Sequence, residues 1–419
     1  MKTIVVTLHE LLLCLSKAQD LVSPELSNHH ERVAYLSTRL AEQVNLPAEQ
    51  QKDIFLAALV HDIGALSLNE RLETIETEPE YINSHAIKGA KLFEGFKPLQ
   101  RAAQIIRYHH MPWKNGENQF YKEDKIPYAS HIVHLADRVC GLINPSQNVL
   151  IQLPQILSEI NQNIDSIYEP NLVKSLFELS RKEYIWLDLI SASPVDNLPE
   201  IGLYDNLVLE IDDIIDLTYV FSRIIDFRSR FTARHSAGVA KTAESLAKII
   251  GFSPLECKMM LIAGYLHDLG KLAIRSSVLE KPAKLDEDEF NEIRSHTYYT
   301  YQLLDSIEQF KTINKWASYH HEKLNGKGYP FQIEGDNLTM GSRIMAVADV
   351  FTAITENRPY RDGMENESAI KVMHNMVAND SLDGKVVNIL IENFHEINLL
   401  REQAQEEASI KYENFLECE

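Results

Sequence analysis

Apolar residues recur along most of the chain at intervals of three and four positions, which places them on one face of an α-helix. Between Glu25 and Val44, one such face consists of Leu26, Val33, Leu36, Leu40 and Val44. Short stretches rich in proline, glycine and asparagine separate segments of this kind. The pattern predicts an all-α protein.

Two local signals near the N-terminus predict where helices begin. Thr7 and Glu10 have the spacing of a capping box. The apolar run around them therefore predicts a first helix rather than a signal peptide, whose apolar core His9 and Glu10 would interrupt. Pro47 is expected in the first turn of a further helix, which runs towards His61.

Histidines and aspartates repeat along the chain in the same order. The first series is His29, His61, Asp62, His85, His109, His110 and Asp137; the second is His235, His267, Asp268, His296, His320, His321 and Asp349. In both series, 32 residues separate the first histidine from the His-Asp pair, and 24 separate the middle histidine from the His-His pair. The remaining intervals are 24 against 29 and 28 against 29 residues. This agreement predicts an internal duplication of one helical domain. We call His29–Asp137 the first copy and His235–Asp349 the second copy.

The segment between the copies predicts a linker. Ser191–Asn206 is rich in proline, aspartate and asparagine, and helical periodicity resumes after it. We expect tandem helical bundles: an N-terminal domain at 1–190, a linker and connecting helix at 191–225, and a C-terminal domain at 226–419. The acidic C-terminal stretch, REQAQEEASIKYENFLECE, predicts a solvated terminal helix.

Composition limits the partners that the protein can have. The 419 residues suffice for two or three domains, and 41 basic against 61 acidic residues give a net charge of −20. This charge argues against a nucleic-acid polymer or an anionic membrane as the partner, and no apolar run approaches the ~18 residues of a spanning helix. The widely spaced cysteines, Cys14, Cys140, Cys257 and Cys418, predict reduced thiols in a cytoplasmic protein. A homodimer is compatible with the sequence.

The five histidines and two aspartates of the second copy predict a metal centre. Imidazole and carboxylate together suit Fe, Mn, Ni or Zn better than calcium. Because seven ligands exceed the needs of one ion, we predict two ions, with Asp268 beside His267 as the bridging carboxylate. Two ions a few ångströms apart can activate water and hold a phosphate for in-line attack. Phosphoester hydrolysis is the predicted reaction class.

The loop after the second His-His pair extends this pattern. With His235, HDLGK, His296, the stretch YHHEKLNGKGYP and a late aspartate in ADVF, the sequence resembles the HD-GYP subfamily of HD-domain phosphodiesterases from about Asp226 to Arg401. The resemblance implies a helical domain that hydrolyses a cyclic dinucleotide, typically cyclic di-GMP, to a linear product. It also implies two divalent ions, with Fe, Mn or Ni expected and Mg as a further candidate.

The resemblance assigns roles to individual residues. One implied ion has the ligands His235, His267, Asp268 and Asp349, and the other has Asp268, His296, His320 and His321. The implied substrate contacts are Lys271, Gly326, Gly328, Tyr329, Pro330, Arg358 and Arg361. Asp268 and Lys271 are the implied catalytic residues, with Lys271 touching the scissile phosphate.

Several positions depart from the family pattern. Phe231 stands where some members have a glutamate that adds a third ion, so we expect two ions. Thr297 and Thr300 replace a frequent proline and glycine, and we expect them near a substrate base. Cyclic GMP-AMP is therefore an alternative substrate to cyclic di-GMP. Asn325 and Thr352 replace aspartates.

The first copy keeps the seven ligand types but loses the neighbouring motifs. Ala65 matches Lys271, and GENQF matches GKGYP. We predict a second metal centre there, either a nucleotidase that removes the terminal phosphate of the linear product or a regulatory or structural relic. His30, His131 and His134 lie off the pattern and are predicted to be ordinary histidines.

Two other functions remain open at the level of sequence. A cyclic dinucleotide receptor with little turnover would not need the complete ligand set or Lys271, and their presence favours an enzyme. A hydrolase of nucleoside triphosphates or guanosine tetraphosphate would not need the GYP loop.

Overall fold

The structure is a computed structural model that describes residues 4–21, 28–65, 84–199, 207–227, 234–281, 283–357 and 362–416. Within these ranges the chain is mainly helical, which confirms the all-α prediction. It divides into two compact units: the first is Thr7–Val208 and the second begins at Leu209. None of the helices in these ranges combines the length and apolarity needed to cross a bilayer.

The first unit contains the first copy. Its helices are α1 (Leu8–Asp20), α2 (His29–Gln43), α3 (Ala48–Ala58), α4 (Ser84–Phe93), α5 (Gln100–Arg107), α6 (Tyr128–Gly141), α7 (Val149–Gln162), α8 (Pro170–Leu179) and α9 (Glu183–Leu189). This unit also contains the two-residue strands β2 (Phe120–Tyr121) and β3 (Asp124–Lys125), which pair antiparallel. The strands β1 (Val6–Thr7) and β4 (Val208–Leu209) pair with each other, and each has one residue in either unit.

The second unit contains the second copy. Its helices are α10 (Ile211–Phe227), α11 (His235–Ile250), α12 (Pro254–Leu266), α13 (Ser276–Leu279), α14 (Glu287–Asp305), α15 (Lys311–Ser318), α16 (Met340–Thr355), α17 (Asn366–Ala378), α18 (Gly384–Glu392) and α19 (Phe394–Leu416). Most of α10 was expected in the connecting segment, and the structure groups this helix with the second unit.

The two units use the same helix packing. In the first unit, α2 packs against α3 and α6, and α5 packs against α3 and α4. In the second, α11 packs against α12 and α16, and α15 packs against α12 and α14. The shared contacts bring the ends of corresponding helices together at one point of each unit.

The sequence signals for helix starts are confirmed with one small shift. The Glu10 carboxylate accepts hydrogen bonds from the Thr7 backbone N–H at 2.9 Å and from the Thr7 hydroxyl at 2.6 Å, so the capping box is present. Pro47 caps α3 from the position before its first turn. Most of the predicted apolar face of α2 is buried, whereas Leu26 lies outside the described residues.

The C-terminal helix corrects the prediction of a solvated tail. α19 packs along α11, and the part of it within the predicted tail has four buried residues: Arg401, Gln405, Ala408 and Phe415. Gly238 permits this approach, because a β-carbon there would lie 2.8 Å from Nε2 of Gln405. The acidic composition suggested a solvated helix. Composition alone does not show which residues lie on the face that packs against the rest of the unit.

Glycine fixes the position of the His-Asp turn in both copies. A β-carbon at Gly64 would lie 2.0 Å from the carbonyl oxygen of His85, and one at Gly270 would lie 2.0 Å from the carbonyl oxygen of His296. Only glycine allows this contact between the turn and the helix that contains the middle histidine. The two His-Asp pairs are therefore held close to their middle histidines.

Candidate metal centres

Helix ends and helix faces bring the seven predicted ligands of the second copy together. His235 begins α11, His267 and Asp268 follow α12, and His296 lies within α14. His320 and His321 follow α15, and Asp349 lies on α16. Six of these residues are buried, and His321 is partly exposed.

Backbone carbonyls orient three of the imidazoles. The Nδ1 atoms of His267, His296 and His320 lie 2.7, 2.6 and 2.6 Å from the carbonyl oxygen three residues earlier. Because a carbonyl can only accept, Nδ1 donates and Nε2 keeps the lone pair. A histidine that binds a metal through Nε2 has this arrangement.

Asp268 lies at the middle of the cluster. Its carboxylate is 3.1 Å from Nε2 of His267, 3.3 Å from Nε2 of His296 and 2.6 Å from Nζ of Lys271. Burial acts to raise the pKa of Asp268, but His267 and Lys271 outweigh it and hold that pKa well below its usual value. The group is therefore an anion, as a bridging ligand must be.

Asp349 is the second carboxylate of the cluster and lies beside two of its histidines. Its Oδ1 lies 3.2 Å from Nε2 of His235, and its Oδ2 lies 3.8 Å from Nδ1 of His321. Although burial opposes ionisation, His235 and His321 lower the pKa of Asp349 far below its usual value. Asp349 is thus ionised beside His235, with which it was predicted to share an ion, and near His321, which was predicted to bind the other ion.

The donor atoms form two sets that fit two divalent ions. One set is His235, His267 and Asp268, and the other is His296, His320 and His321; within each, the donor atoms lie within 4.8 Å of one another. Nε2 of His267 is buried without a hydrogen-bond partner among the described residues, as expected for a metal ligand. Histidine-rich sets of this kind suit borderline ions such as iron, manganese or nickel.

Glu356 is a member of this site that the sequence did not predict. Its buried carboxylate accepts from Nδ1 of His235 at 3.2 Å and from Nε2 of Gln405 at 3.1 Å. Burial acts to lower the pKa of His235, but Glu356 and Asp349 outweigh it and raise that pKa to about 10. Glu356 orients His235 through Nδ1, as a backbone carbonyl does for His267, His296 and His320. No repeat pointed to it, because the matching position of the first copy is the exposed Asn144.

Glu322, in the HHE motif, shapes the GYP loop instead of joining the metal ligands. Its buried carboxylate accepts from the backbone N–H groups of Phe331 at 2.7 Å and Ile333 at 3.1 Å. A β-carbon at Gly328 would lie 2.4 Å from Cα of Glu322, so this glycine permits the loop to fold back. Tyr329 packs on His321 with 4.9 Å between ring centroids.

The predicted substrate contacts therefore have different surroundings. Tyr329 lies beside the metal ligands, and Lys271 contacts Asp268. Gly328 is buried, while Gly326 has a positive φ of 69° in the turn. Pro330 is partly exposed next to Tyr329. Arg358 and Arg361, together with Phe231, lie outside the described residues.

Thr297 and Thr300, which were expected near a substrate base, have no surface with which to contact one. Both are fully buried. The Thr300 hydroxyl accepts from the Gly270 N–H at 2.9 Å and donates to the His267 carbonyl at 3.1 Å. The Thr297 hydroxyl donates to the Arg294 carbonyl at 3.0 Å. Sequence position suggested a substrate role, but both hydroxyls bond the protein backbone.

The first copy assembles its seven predicted ligands on the corresponding elements. His29 begins α2, His61 and Asp62 follow α3, and His85 lies on α4. His109 and His110 follow α5, and Asp137 lies on α6. All seven are buried. The structure therefore brings together every ligand-type residue that the repeat identified in this copy.

Contacts in the first copy parallel those in the second. Asp62 lies 3.2 Å from Nε2 of His85 and 3.5 Å from Nε2 of His109, and Asp137 lies 3.1 Å from Nε2 of His29. Burial acts to raise the pKa of Asp62, but His61, His109 and His85 outweigh it and hold that pKa well below its usual value.

Two donor sets are again present: Asp62, His85, His109 and His110 form one, and His29, His61 and Asp137 form the other. The Nδ1 atoms of His61 and His109 donate to the carbonyls three residues earlier, at 2.9 and 2.7 Å. Their buried Nε2 atoms lack hydrogen-bond partners among the described residues. These residues also fit divalent ions.

The repeat extends one helix further upstream than the sequence pattern indicated. At the end of α10, Asp226 accepts from the Ser236 N–H at 3.0 Å and from its hydroxyl at 2.8 Å. At the end of α1, Asp20 bonds Nδ1 of His30, which occupies the position of Ser236. His30 thus has a structural partner and lies outside both donor sets, in line with its prediction as an ordinary histidine.

Comparison with known proteins identifies both copies. A family model described as an HD domain matches residues 26–142, and a second model with the same description matches residues 219–386. A protein of Vibrio cholerae named 3'3'-cGAMP-specific phosphodiesterase 1 is 31% identical over 399 residues, which cover 93% of this chain and 92% of that protein. The chain belongs to the HD-domain phosphodiesterase family. The family that the sequence resembled is thereby confirmed.

Other members of the HD-domain family match this chain in whole or in part. The 3'3'-cGAMP-specific phosphodiesterase 3 of Vibrio cholerae is 26% identical over 87% of this chain and 90% of its own length. The cyclic di-GMP phosphodiesterase response regulator RpfG of Xanthomonas campestris is 36% identical over 36% of this chain and 41% of its own length. A crystal structure of a cyclic GMP-AMP-specific phosphodiesterase of Vibrio cholerae, V-cGAP3, has the same tandem HD fold, with a TM-score of 0.65, 24% identity and coverage of 93% of this chain and 98% of that one.

Proposed function

We propose that this protein is a metal-dependent phosphodiesterase whose second copy opens a cyclic dinucleotide to a linear dinucleotide with a 5′-phosphate. The observation that supports this most directly is the contact between Lys271 and Asp268, at 2.6 Å in the middle of the ligand cluster. A lysine beside two sets of metal donors provides the charge that a phosphodiester needs, even though the chain as a whole is acidic.

The residues of the second copy have separate tasks in this reaction. Two divalent ions bound by the donor sets would stabilise charge on the phosphate and lower the pKa of water. Asp268 would bridge the ions, and Lys271 would hold a phosphate oxygen as a point charge. Burial acts to lower the pKa of Lys271, but Asp268 raises it above its usual value, so the lysine remains a cation. Tyr329, whose ring packs against His321, would limit where the substrate enters.

We propose 3′,3′-cyclic GMP-AMP as the preferred substrate, ahead of cyclic di-GMP. Two relatives named for cyclic GMP-AMP match this chain over about nine-tenths of their own length and a third matches over 45%, whereas the response regulator named for cyclic di-GMP matches over 41% of its length. The donor chemistry supports Fe, Mn or Ni as the bound ions, ahead of Mg. Cys14, Cys140 and Cys257 are buried thiols, which supports a reducing, cytoplasmic setting.

The test is chromatography of the products after the purified protein has been incubated with each cyclic dinucleotide and with Fe, Mn, Ni or Mg. We expect a linear dinucleotide, formed faster from cyclic GMP-AMP. If both substrates bind but remain intact with every metal, the protein is a receptor and the proposed activity is wrong.

The first copy supports a second candidate activity, removal of the 5′-phosphate from the linear product. Its two buried donor sets repeat those of the second copy, but Ala65 replaces the lysine and GENQF replaces the GYP loop. Its Asp137 side chain is 4% exposed, against 11% for Asp349, so this centre is more enclosed. A terminal phosphate can reach an enclosed centre better than an internal phosphodiester of a cyclic molecule can.

Release of phosphate from the linear dinucleotide tests this second activity. We expect release by the parent protein and no release by the variant with His61→Ala and Asp62→Ala. The matched control, with His267→Ala and Asp268→Ala, should still release phosphate although it no longer opens the ring. No phosphate from the parent under any of the metals would leave a regulatory or structural role for the first copy.

A further inference from the structure

The first unit contains a cavity of about 590 Å³ that lies apart from its metal ligands. Residues of α3, α5, β3, the start of α6 and the loop around Trp113 form it. Its lining includes Asp53, Arg101, Ile105, Trp113, Lys125 and His131. None of the seven ligand-type residues of the first copy lines this cavity.

The cavity and the metal centre lie on different parts of the same helices. Asp53 lies on α3, eight residues before His61, and His131 precedes Asp137 by six residues on α6. Six helical residues correspond to about 9 Å along the axis. Asp53 and His131 therefore lie more than one helical turn from the ligands, whereas Trp113 follows His110 by three residues.

The loop that contains Trp113 is held in place by the backbone. The N–H groups of Trp113, Lys114 and Asn115 donate to the carbonyls of residues 167, 166 and 165 at 2.8, 3.0 and 2.6 Å. The indole packs edge-on against His131, with 5.2 Å between the ring centroids, and is half-buried. A fixed, half-buried indole at a cavity offers an aromatic surface at little entropic cost.

The lining combines an apolar floor with a cationic rim. Ile105 and Ile126 are each 4% exposed and form part of the floor. Arg101 and Lys125 are exposed at the rim, and Arg101 also pairs with Asp53 at 3.3 Å and with Glu49 at 3.5 Å. Burial lowers the pKa of His131 to about 4, so this ring adds no charge near neutral pH. An aromatic group with an attached anion matches this arrangement.

We propose that the cavity binds a purine nucleoside monophosphate, with the base against Trp113 and the phosphate at Arg101 and Lys125. The volume lies within the range of about 300–1,000 Å³ usual for small-molecule sites. Base stacking on an aromatic side chain contributes roughly 1–3 kcal/mol. The nucleotide has two sources, a free mononucleotide or the terminal nucleotide of a linear dinucleotide. Binding requires no turnover, so the proposal stands or falls separately from the phosphodiesterase activity.

Tryptophan fluorescence provides the test, because Trp113 is one of three tryptophans and the other two, Trp186 and Trp316, are buried. The protein, kept in a chelator, is titrated with AMP, GMP, adenosine and the linear dinucleotide. We expect saturable quenching by AMP or GMP, with weaker binding of adenosine because it lacks the phosphate. Tighter binding of the linear dinucleotide than of either mononucleotide would identify the reaction product as the source.

Variants distinguish the cavity from other sites. Trp113→Ala should remove the quenching, and equilibrium dialysis should show at least a tenfold loss of AMP affinity. Arg101→Ala with Lys125→Ala should weaken AMP binding but leave adenosine binding unchanged. The matched control is Phe120→Ala, because Phe120 is a 58% exposed aromatic near this loop that does not line the cavity. Absence of saturable binding, or unchanged affinity in Trp113→Ala, would overturn the proposal.

Discussion

The two copies contain the same ligand-type residues in the same order, but the side chains next to those residues differ. In the second copy, Lys271 contacts the central aspartate, and His321 is partly exposed under Tyr329. In the first, Ala65 stands at the position of the lysine, and His110 is buried. The helices that present the ligands correspond in both copies.

This comparison distinguishes the features that would hold a metal ion from those that would select a substrate. The ligand geometry depends on helix ends and on glycines at the His-Asp turns, and both copies keep these features. The cationic side chain and the GYP loop belong to the second copy, and they are the features that a cyclic phosphodiester would contact. If the proposed function is correct, the two centres would bind ions alike and treat phosphates differently.

The largest expected effect comes from removing one central aspartate at a time. Asp268→Ala should abolish opening of the cyclic dinucleotide, because its carboxylate is the proposed bridge between the ions, while the protein remains helical. Asp62→Ala should leave ring opening intact and remove phosphate release from the linear product. Product chromatography, metal analysis and circular dichroism measure these outcomes. Equal loss of ring opening in both variants would contradict a division of labour between the copies.

Removal of the lysine should have the next largest effect. Lys271→Ala should lower turnover about 100- to 1,000-fold, as expected when a preorganised charge on the reacting phosphate is lost. The metal content should stay unchanged, which emission spectroscopy can measure. Lys241→Ala is a suitable control, since Lys241 pairs with Glu244 on α11. If Lys271→Ala loses its metal, the lysine supports the ligand cluster and has no direct role at the phosphate.

Glu356 provides a third way to sharpen the comparison, because the first copy has Asn144 at this position. Glu356→Ala should weaken metal binding by the second copy about 10- to 100-fold, the usual effect of losing the group that orients a histidine ligand. Glu356→Gln, which keeps an acceptor for His235, should restore part of the affinity. Competition with a chromophoric chelator measures both. Unchanged affinity in Glu356→Ala would show that His235 needs no such partner.

The smallest expected effect concerns Thr300, which stands where the first copy has Gly89. Thr300→Val keeps the shape but leaves the Gly270 N–H and the His267 carbonyl without this hydroxyl. We expect a loss of about 1–3 kcal/mol in the free energy of unfolding, measured with urea. Thr355→Val, which removes a single hydrogen bond within α16, is the control. Equal losses in the two variants would argue against a special role for Thr300.

Sequence periodicity and repeated spacing predicted much of this molecule. The helical class, the duplication and the clustering of fourteen ligand-type residues follow from patterns that are local or that recur at fixed intervals. The capping box at Thr7 was predictable for the same reason, because both partners lie within four residues.

Contacts between distant residues that have no counterpart in the other copy were not predictable from the sequence. Glu356 approaches His235 from 121 residues away, and Gln405 reaches Glu356 from a helix whose composition suggested solvation. Thr300 was placed near a substrate because its position matched a family motif, whereas its hydroxyl bonds the backbone. Such contacts depend on how the helices pack. They do not recur at a regular interval along the chain, so a single sequence does not reveal them.

The hydrogen bonds from ring Nδ1 atoms to backbone carbonyls have a consequence for how the protein acquires its ions. Because helix ends set the imidazoles, the ligands take their places as the chain folds. This differs from small zinc domains, in which the ion itself drives folding. The protein should then survive repeated stripping and reloading with different ions. In the cell, the supply of each ion when the enzyme is made would decide which one fills each centre.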